Sequence, residues 1–221
     1  IKCREMGKSK DLLANTIRND DIEEFQSILA KTNTSVNECV KYSIFEQCNI
    51  VSKRRSQKTL RFIEYAAFFG SLKVFKFLLN TAELTEKVAK NAVKGGNYEI
   101  IHLCEYYKIN FSPKCLTLAI RFHRNEIVDY LIENHSLNLD IANTIASIQY
   151  YNWEIITRCI PIFLDPDPNI SNDNFSALAT ASINGYLDIV EILCSLKNID
   201  INSESEGWNP VMYAAFKGYV Y

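Results

Sequence analysis

The chain has 221 residues, 48% of them hydrophobic, and a formal charge of −2 from 24 basic and 26 acidic side chains. That much apolar material excludes an intrinsically disordered class, and a charge so near zero supplies no chain-wide field to gather nucleic acid or an acidic membrane surface. Seven cysteines, odd in number and scattered with no CxxC spacing, argue against a disulfide framework and for a reducing, cytoplasmic location. No stretch approaches the roughly 18 consecutive apolar residues of a membrane helix, and the opening IKCREMGKSK is charged with no apolar run behind it. The chain begins at Ile1 and stops at Tyr221 shortly after a turn, so it reads as a fragment of a longer protein.

In chain order, the first stretch of note is residues 12–29 (LLANTIRNDDIEEFQSIL). Val36, Val40, Ile44 and Phe45 keep helical spacing and predict a helix, followed by a basic loop at Lys53, Arg54 and Arg55; these make an N-terminal part over 1–57. A recurring pattern then takes over: small residues on a helix, a tight turn, and a second helix of branched aliphatics. Aligned on the turn, its copies are 64–79, 90–105, 117–133 and 145–160, which place four short units in 58–160. From Pro161 to Asn174 the helical pattern breaks, with Pro166 and Pro168 forbidding a helix interior, so 161–174 is expected to be a loop. One full and one truncated unit occupy 175–221.

The turn residues are Gly70, Gly96, His123, Tyr151, Gly185 and Gly218, giving spacings of 26, 27, 28, 34 and 33 residues. Periods of that size mean a repeat array, and the expected fold is all-α, an α-solenoid of stacked helix-turn-helix repeats continuing along the chain. Ala66, Ala67, Ala92, Ala119, Ala181, Ala214 and Ala215 let the first helices approach closely, and glycine accepts the left-handed backbone that ends them. The second helices carry one apolar stripe, as at Leu72, Phe75 and Leu79 or Leu187, Ile189, Val190, Ile192 and Leu193. His123 and Tyr151 would each cost on the order of 1 kcal/mol at a left-handed position, unless Arg124 or, better, Asn152 absorbs the strain.

The run Ser176-Ala177-Leu178-Ala179-Thr180-Ala181, and Asn209-Pro210-Val211-Met212-Tyr213-Ala214 after it, resemble the T-P-L-H-x-A motif of ankyrin repeats, with Ala179 and Met212 in place of the histidine. The resemblance implies a weaker bond between these neighbouring repeats than the family's histidine provides. The short central units, with EYAAFFGS as their plainest stretch, resemble the degenerate ankyrin-like module of large protist ankyrin families, and residues 12–29 resemble the helix pair that opens that module.

A catalytic constellation is hard to find. His102, Cys104, Cys115 and His123 match no closed zinc spacing and read as packing and turn residues. Glu99, Glu126, Glu154 and Asp188 recur after the turns, where a carboxylate interacts well with a helix N-terminus. Gly95-Gly96 is the only glycine doublet and no phosphate-loop pattern surrounds it. No catalytic residue, cofactor or metal is therefore expected.

In the resembled family the two residues before each turn face a concave groove and vary with the ligand. Here they include Phe68, Phe69, Lys94, Arg121, Phe122, Gln149, Tyr150, Ile183, Asn184, Phe216 and Lys217, to which Trp208 adds a hairpin position. Aromatics interleaved with basic residues have the composition of a protein-binding surface; the competing reading is that several of these rings fill gaps in degenerate units. The expectation is a non-catalytic module that binds another protein, without nucleic acid, membrane or small-molecule substrate as partner. The alternative is the substrate-recognition part of a larger enzyme or ubiquitin-ligase chain.

Overall fold

The computed structural model describes residues 11–40, 59–164, 169, 171 and 175–219. Among them are thirteen helices: α1 Leu12–Arg18, α2 Ile22–Thr32, α3 Phe62–Phe69, α4 Leu72–Leu79, α5 Glu86–Gly95, α6 Tyr98–Tyr106, α7 Pro113–Arg121, α8 Asn125–His135, α9 Ile141–Gln149, α10 Trp153–Leu164, α11 Ala177–Asn184, α12 Leu187–Cys194 and α13 Pro210–Lys217. The fold class is all-α, of the helix-turn-helix solenoid kind. The chain divides into two units, Ile1–Cys115 and Leu116–Tyr221, with α7 running across the division.

In the first unit, first helices pack on first helices (α1 on α3, α3 on α5) and second helices on second helices (α2 on α4, α4 on α6). The alternation has a steric cause. Ala66, Ala67, Ala89 and Ala92 are fully buried, so the backbones of α3 and α5 approach closely, while the bulk of the core comes from Phe25, Tyr65, Phe75, Leu78, Ile100 and Ile101. The second unit repeats the arrangement, with α9 on α10 and α11, and α11 on α12 and α13. Ala177, Ala179 and Ala181 are its buried small residues. Helix starts are set by side-chain caps: Asp11, Asp21, Asn97, Asp140, Ser176 and Asn209 each accept from a backbone N–H two or three residues on.

All six expected turn residues have positive φ, and Asp20 makes a seventh at the end of α1. His123 and Tyr151 take the left-handed conformation themselves, at φ 54 and 52, so the strain is not passed to Arg124 or Asn152. Contacts to the following hairpin offset it. His123 Nε2 donates to the Tyr150 carbonyl at 3.0 Å, and Tyr151 Oη donates to Asp188 Oδ2 at 2.6 Å.

Asn152 has a different task. Its side chain is buried, and Nδ2 donates to the Ile120 carbonyl (2.9 Å) and to Asn125 Oδ1 (2.7 Å), while Oδ1 accepts from Ile155 N (3.4 Å). Asn97 makes the same kind of bridge to the Gly70 carbonyl. Asn152→Ala removes the buried amide that serves the Ile120 carbonyl and Asn125 Oδ1, leaving that carbonyl with the His123 N–H alone (3.1 Å), and the expected loss is about 1–3 kcal/mol, read as a lower urea midpoint. A midpoint unchanged from wild type would mean that water replaces the amide.

Three expectations change. The segment around Val36 and Val40 is not helical: residues 36–37 form a turn, Cys39 pairs with Arg61 in an antiparallel bridge, and Val40 N donates to the Leu60 carbonyl at 2.8 Å. Ile44, Phe45 and the basic run Lys53-Arg54-Arg55 lie outside the described residues. The break expected from Pro161 comes later, since α10 continues through Pro161 to Leu164. The carbonyl that proline leaves without a donor belongs to Thr157, an exposed residue that water can serve. Third, Leu187 and Ile192 are exposed, so the stripe of α12 is buried only at Ile189 and Leu193. Ala214 and Ala215 also escape full burial.

Candidate protein-interaction surface

In the first unit Phe68 and Phe69 end α3, with Phe68 half-buried and Phe69 exposed, their rings 5.1 Å apart edge to face. The Arg18 guanidinium, from the last turn of α1, lies 4.7 Å from the Phe69 ring centre, and its Nε donates to Tyr65 Oη at 2.6 Å. Arg18 and Tyr65 were not among the expected site residues. The available signal was position, because Arg18 stands two residues before the Asp20 turn as Arg121 stands two before His123. Lys94 Nζ donates to Asn91 Oδ1 at 3.1 Å, which draws the ammonium back to its own helix.

In the second unit the Arg121 guanidinium lies 4.7 Å from the Tyr150 ring centre and 5.9 Å from that of Phe122. The stack matches Arg18 on Phe69: an arginine two residues before one turn covers the aromatic one residue before the next. Such cation–π contact fixes the guanidinium plane while its N–H edge stays available. Gln149 is exposed, Ile183 and Asn184 are half-buried, and Asn184 Nδ2 donates to the Thr180 carbonyl at 2.8 Å.

A second aromatic group forms at α13. Trp208 and Phe216 meet edge to face at 5.4 Å and are 40% and 71% exposed, with Lys217 exposed beside them. Trp208 is positioned by a two-residue reverse turn, Glu206 and Gly207 both having positive φ, closed by its bridge to Ser205. Ser205 also compensates for the missing motif histidine. Its hydroxyl accepts from Ser176 N at 3.2 Å, and its carbonyl accepts from Tyr213 Oη, which ties successive repeats together.

The groups weighed for other chemistry each have a local explanation. Burial pushes the Cys104 thiol up to about 12 and that of Cys115 up to about 11, which keeps both protonated and unreactive at neutral pH. His102 is exposed and pairs with Glu105 at 3.1 Å. The acidic residues after the turns do more than sit at helix N-termini: Glu99 lies 3.8 Å from Lys76, Glu154 accepts from Asn125 at 2.7 Å, and Asp188 accepts from Tyr151. They join one hairpin to the next. Among the described residues no cluster of His, Cys, Asp and Glu has the makings of a metal site, and no helix is long and apolar enough to cross a membrane. An apolar cleft between α10 and α12, lined by Trp153, Ile156, Ile160, Ile189, Ile192 and Leu193, has a volume of about 50 Å³. That is far below the several hundred Å³ of a small-molecule site.

Residues 79–159 match a domain of unknown function, DUF3447, which spans most of the short units. The family described as ankyrin repeats (3 copies) matches residues 144–221. Among solved structures, the human ASB11 ankyrin repeat domain is similar in fold, with a TM-score of 0.56 at 13% identity over 93% of this chain and 92% of that one. No curated protein sequence matches the chain. The chain carries ankyrin repeats, over residues 144–221.

Proposed function

We propose that this chain is a non-catalytic module that binds a partner protein through the residues preceding its turns, chiefly Arg121, Tyr150, Phe216 and Lys217, together with Trp208 of the hairpin before α13. Ankyrin repeats are typically protein-interaction modules, and their fold is typically non-catalytic. The observation that carries the proposal is the Arg121 guanidinium held over Tyr150, with no carboxylate partner among the described residues. An arginine tethered by a ring has already lost much of its side-chain freedom, so engaging a partner costs it less. Arginine and tyrosine are also the residue types that dominate binding energetics when a partner desolvates them.

In the second unit Phe122, Gln149, Ile183 and Asn184 complete the proposed surface as neighbours that exclude water; in the first unit Phe68 and Phe69 are proposed contacts of their own, whereas Lys94 is drawn aside by Asn91. Location in the cytoplasm is part of the proposal and rests on the number and scatter of the cysteines. Nucleic acid, membranes and small-molecule substrates stand outside it. The second unit has 13 acidic against 5 basic side chains, a balance that repels polyanions.

The test is quantitative affinity capture with the intact protein. Arg121→Ala and Tyr150→Ala are each expected to weaken a specific captured partner by roughly tenfold or more, with circular dichroism unchanged. Glu126→Ala, on the exposed side of α8, should leave capture intact. Equal recovery with all three variants would remove the proposal.

A further inference from the structure

The near-zero charge of the whole chain conceals two opposed halves. Residues 1–115 carry 19 basic and 13 acidic side chains, net +6, and residues 116–221 carry 5 and 13, net −8. In the acidic half lies an open depression of about 500 Å³ lined by Tyr151, Gly185, Tyr186, Leu187, Asp188 and Glu191.

Its construction is specific. The Tyr151 and Tyr186 rings lie 4.8 Å apart at 57°, giving an aromatic wall from two successive hairpins. Tyr151 Oη donates to Asp188 Oδ2 at 2.6 Å, which anchors that carboxylate and leaves its other oxygen open. Glu191 follows three residues later on α12, so the two carboxylates share one helix face. Elsewhere in the chain carboxylates find cations, as Glu83 finds Arg61 and Asp129 finds Arg158, each at 2.6 Å. Among the described residues no cation pairs with Asp188 or Glu191. Leu187, 43% exposed, adds an apolar edge.

We propose that this depression binds a lysine or arginine side chain presented by a basic segment of a partner protein. The aliphatic stem of such a residue lies along Leu187 and the tyrosine rings, and its charged head reaches Asp188 and Glu191. Long cationic side chains need those two surfaces together, apolar for the methylenes and anionic or aromatic for the head. A neutral or acidic ligand would leave two carboxylates uncompensated. The site uses none of the residues of the surface proposed above, although Tyr151 and Gly185 directly follow Tyr150 and Asn184 of that surface in the chain.

The probe is a capped hexapeptide of alternating lysine and arginine, titrated into the isotope-labelled full chain and followed by amide chemical shifts. The largest shifts are expected at Tyr151 and residues 185–191, diminishing as salt is raised. Asp188→Asn combined with Glu191→Gln should weaken the response about tenfold, because the introduced amide oxygen can still accept from Tyr151 and the fold is kept. Glu204→Gln combined with Glu206→Gln removes the same charge from exposed positions in the same unit and should leave binding unchanged. The proposal is overturned if the two double variants weaken binding equally, if the largest shifts fall outside Tyr151 and residues 185–191, or if a capped hexaglutamate moves the same amides.

Discussion

Gly95→Ala is expected to destabilise the first unit by about 2 kcal/mol, opposite in sign to what helix propensity alone gives. Gly95 is the last residue of α5, and alanine in a helix interior is favoured over glycine by about 1 kcal/mol. A Cβ at this position, however, would lie 2.6 Å from the carbonyl oxygens of both Ala67 and Phe68 and 3.0 Å from the Phe68 carbonyl carbon. These are backbone atoms at the end of α3, and no rotamer change withdraws them. Relief requires α3 and α5 to separate, across an interface where Ala66, Ala67 and Ala92 are fully buried. Overpacking of that kind costs typically 1–3 kcal/mol, which outweighs the propensity gain.

In the native residue a second Cα hydrogen takes the place of Cβ and points at the two oxygens, a weak but favourable contact. Gly95→Val should be worse than Gly95→Ala, since it adds bulk without easing the approach. The check is a urea titration with the slope unchanged, so that the midpoint reports stability. A midpoint that rises with alanine would show that α3 and α5 are farther apart than described.

The contrast between Gly95 and its neighbour Gly96 shows how far the sequence could be read. Gly96 is a turn residue at φ 84, and the spacing of small residues and aliphatics around it made that role legible. Gly95 looked like one half of a doublet, because its real constraint is the distance between two helices that no one-dimensional pattern records. The same limit explains the site. Arg121 and Tyr150 were recognisable as members of one repeat register, whereas Arg18 meets Tyr65 across 47 residues and belongs to a turn, at Asp20, with no glycine to mark it.

Helical spacing alone misled at Val36 and Val40, since a short apolar run has the same intervals in a bridge-and-turn segment. Val40 is buried all the same, so its hydrophobicity was informative while its period was not. Charge misled by averaging. A total of −2 argued against any strong field, yet residues 116–221 hold an acidic surplus that includes the two carboxylates of α12 with no described cation beside them.

Gly185 should be the more sensitive of the two glycines that end first helices in the second unit, with Gly185→Ala costing about 2 kcal/mol against about 1 for Gly218→Ala. Both glycines end a first helix in the left-handed region, at φ 71 and 80, so each substitution brings a similar backbone penalty. Their surroundings differ. A Cβ on Gly218 meets nothing within 4 Å, whereas one on Gly185 would fall 2.5 Å from Cζ of Tyr219 and under 3 Å from both its Cε atoms. Those atoms are the far end of a side chain, so the ring can swing away, and the extra cost is the packing it gives up. A double-mutant cycle separates the two contributions. Tyr219→Ala removes the ring and its contact, and Gly185→Ala in that background should fall to the cost seen at Gly218, a coupling of about 1 kcal/mol between adjacent hairpins. If Gly185→Ala costs the same with and without the ring, backbone strain is the whole effect and Tyr219 does not hold the two repeats together.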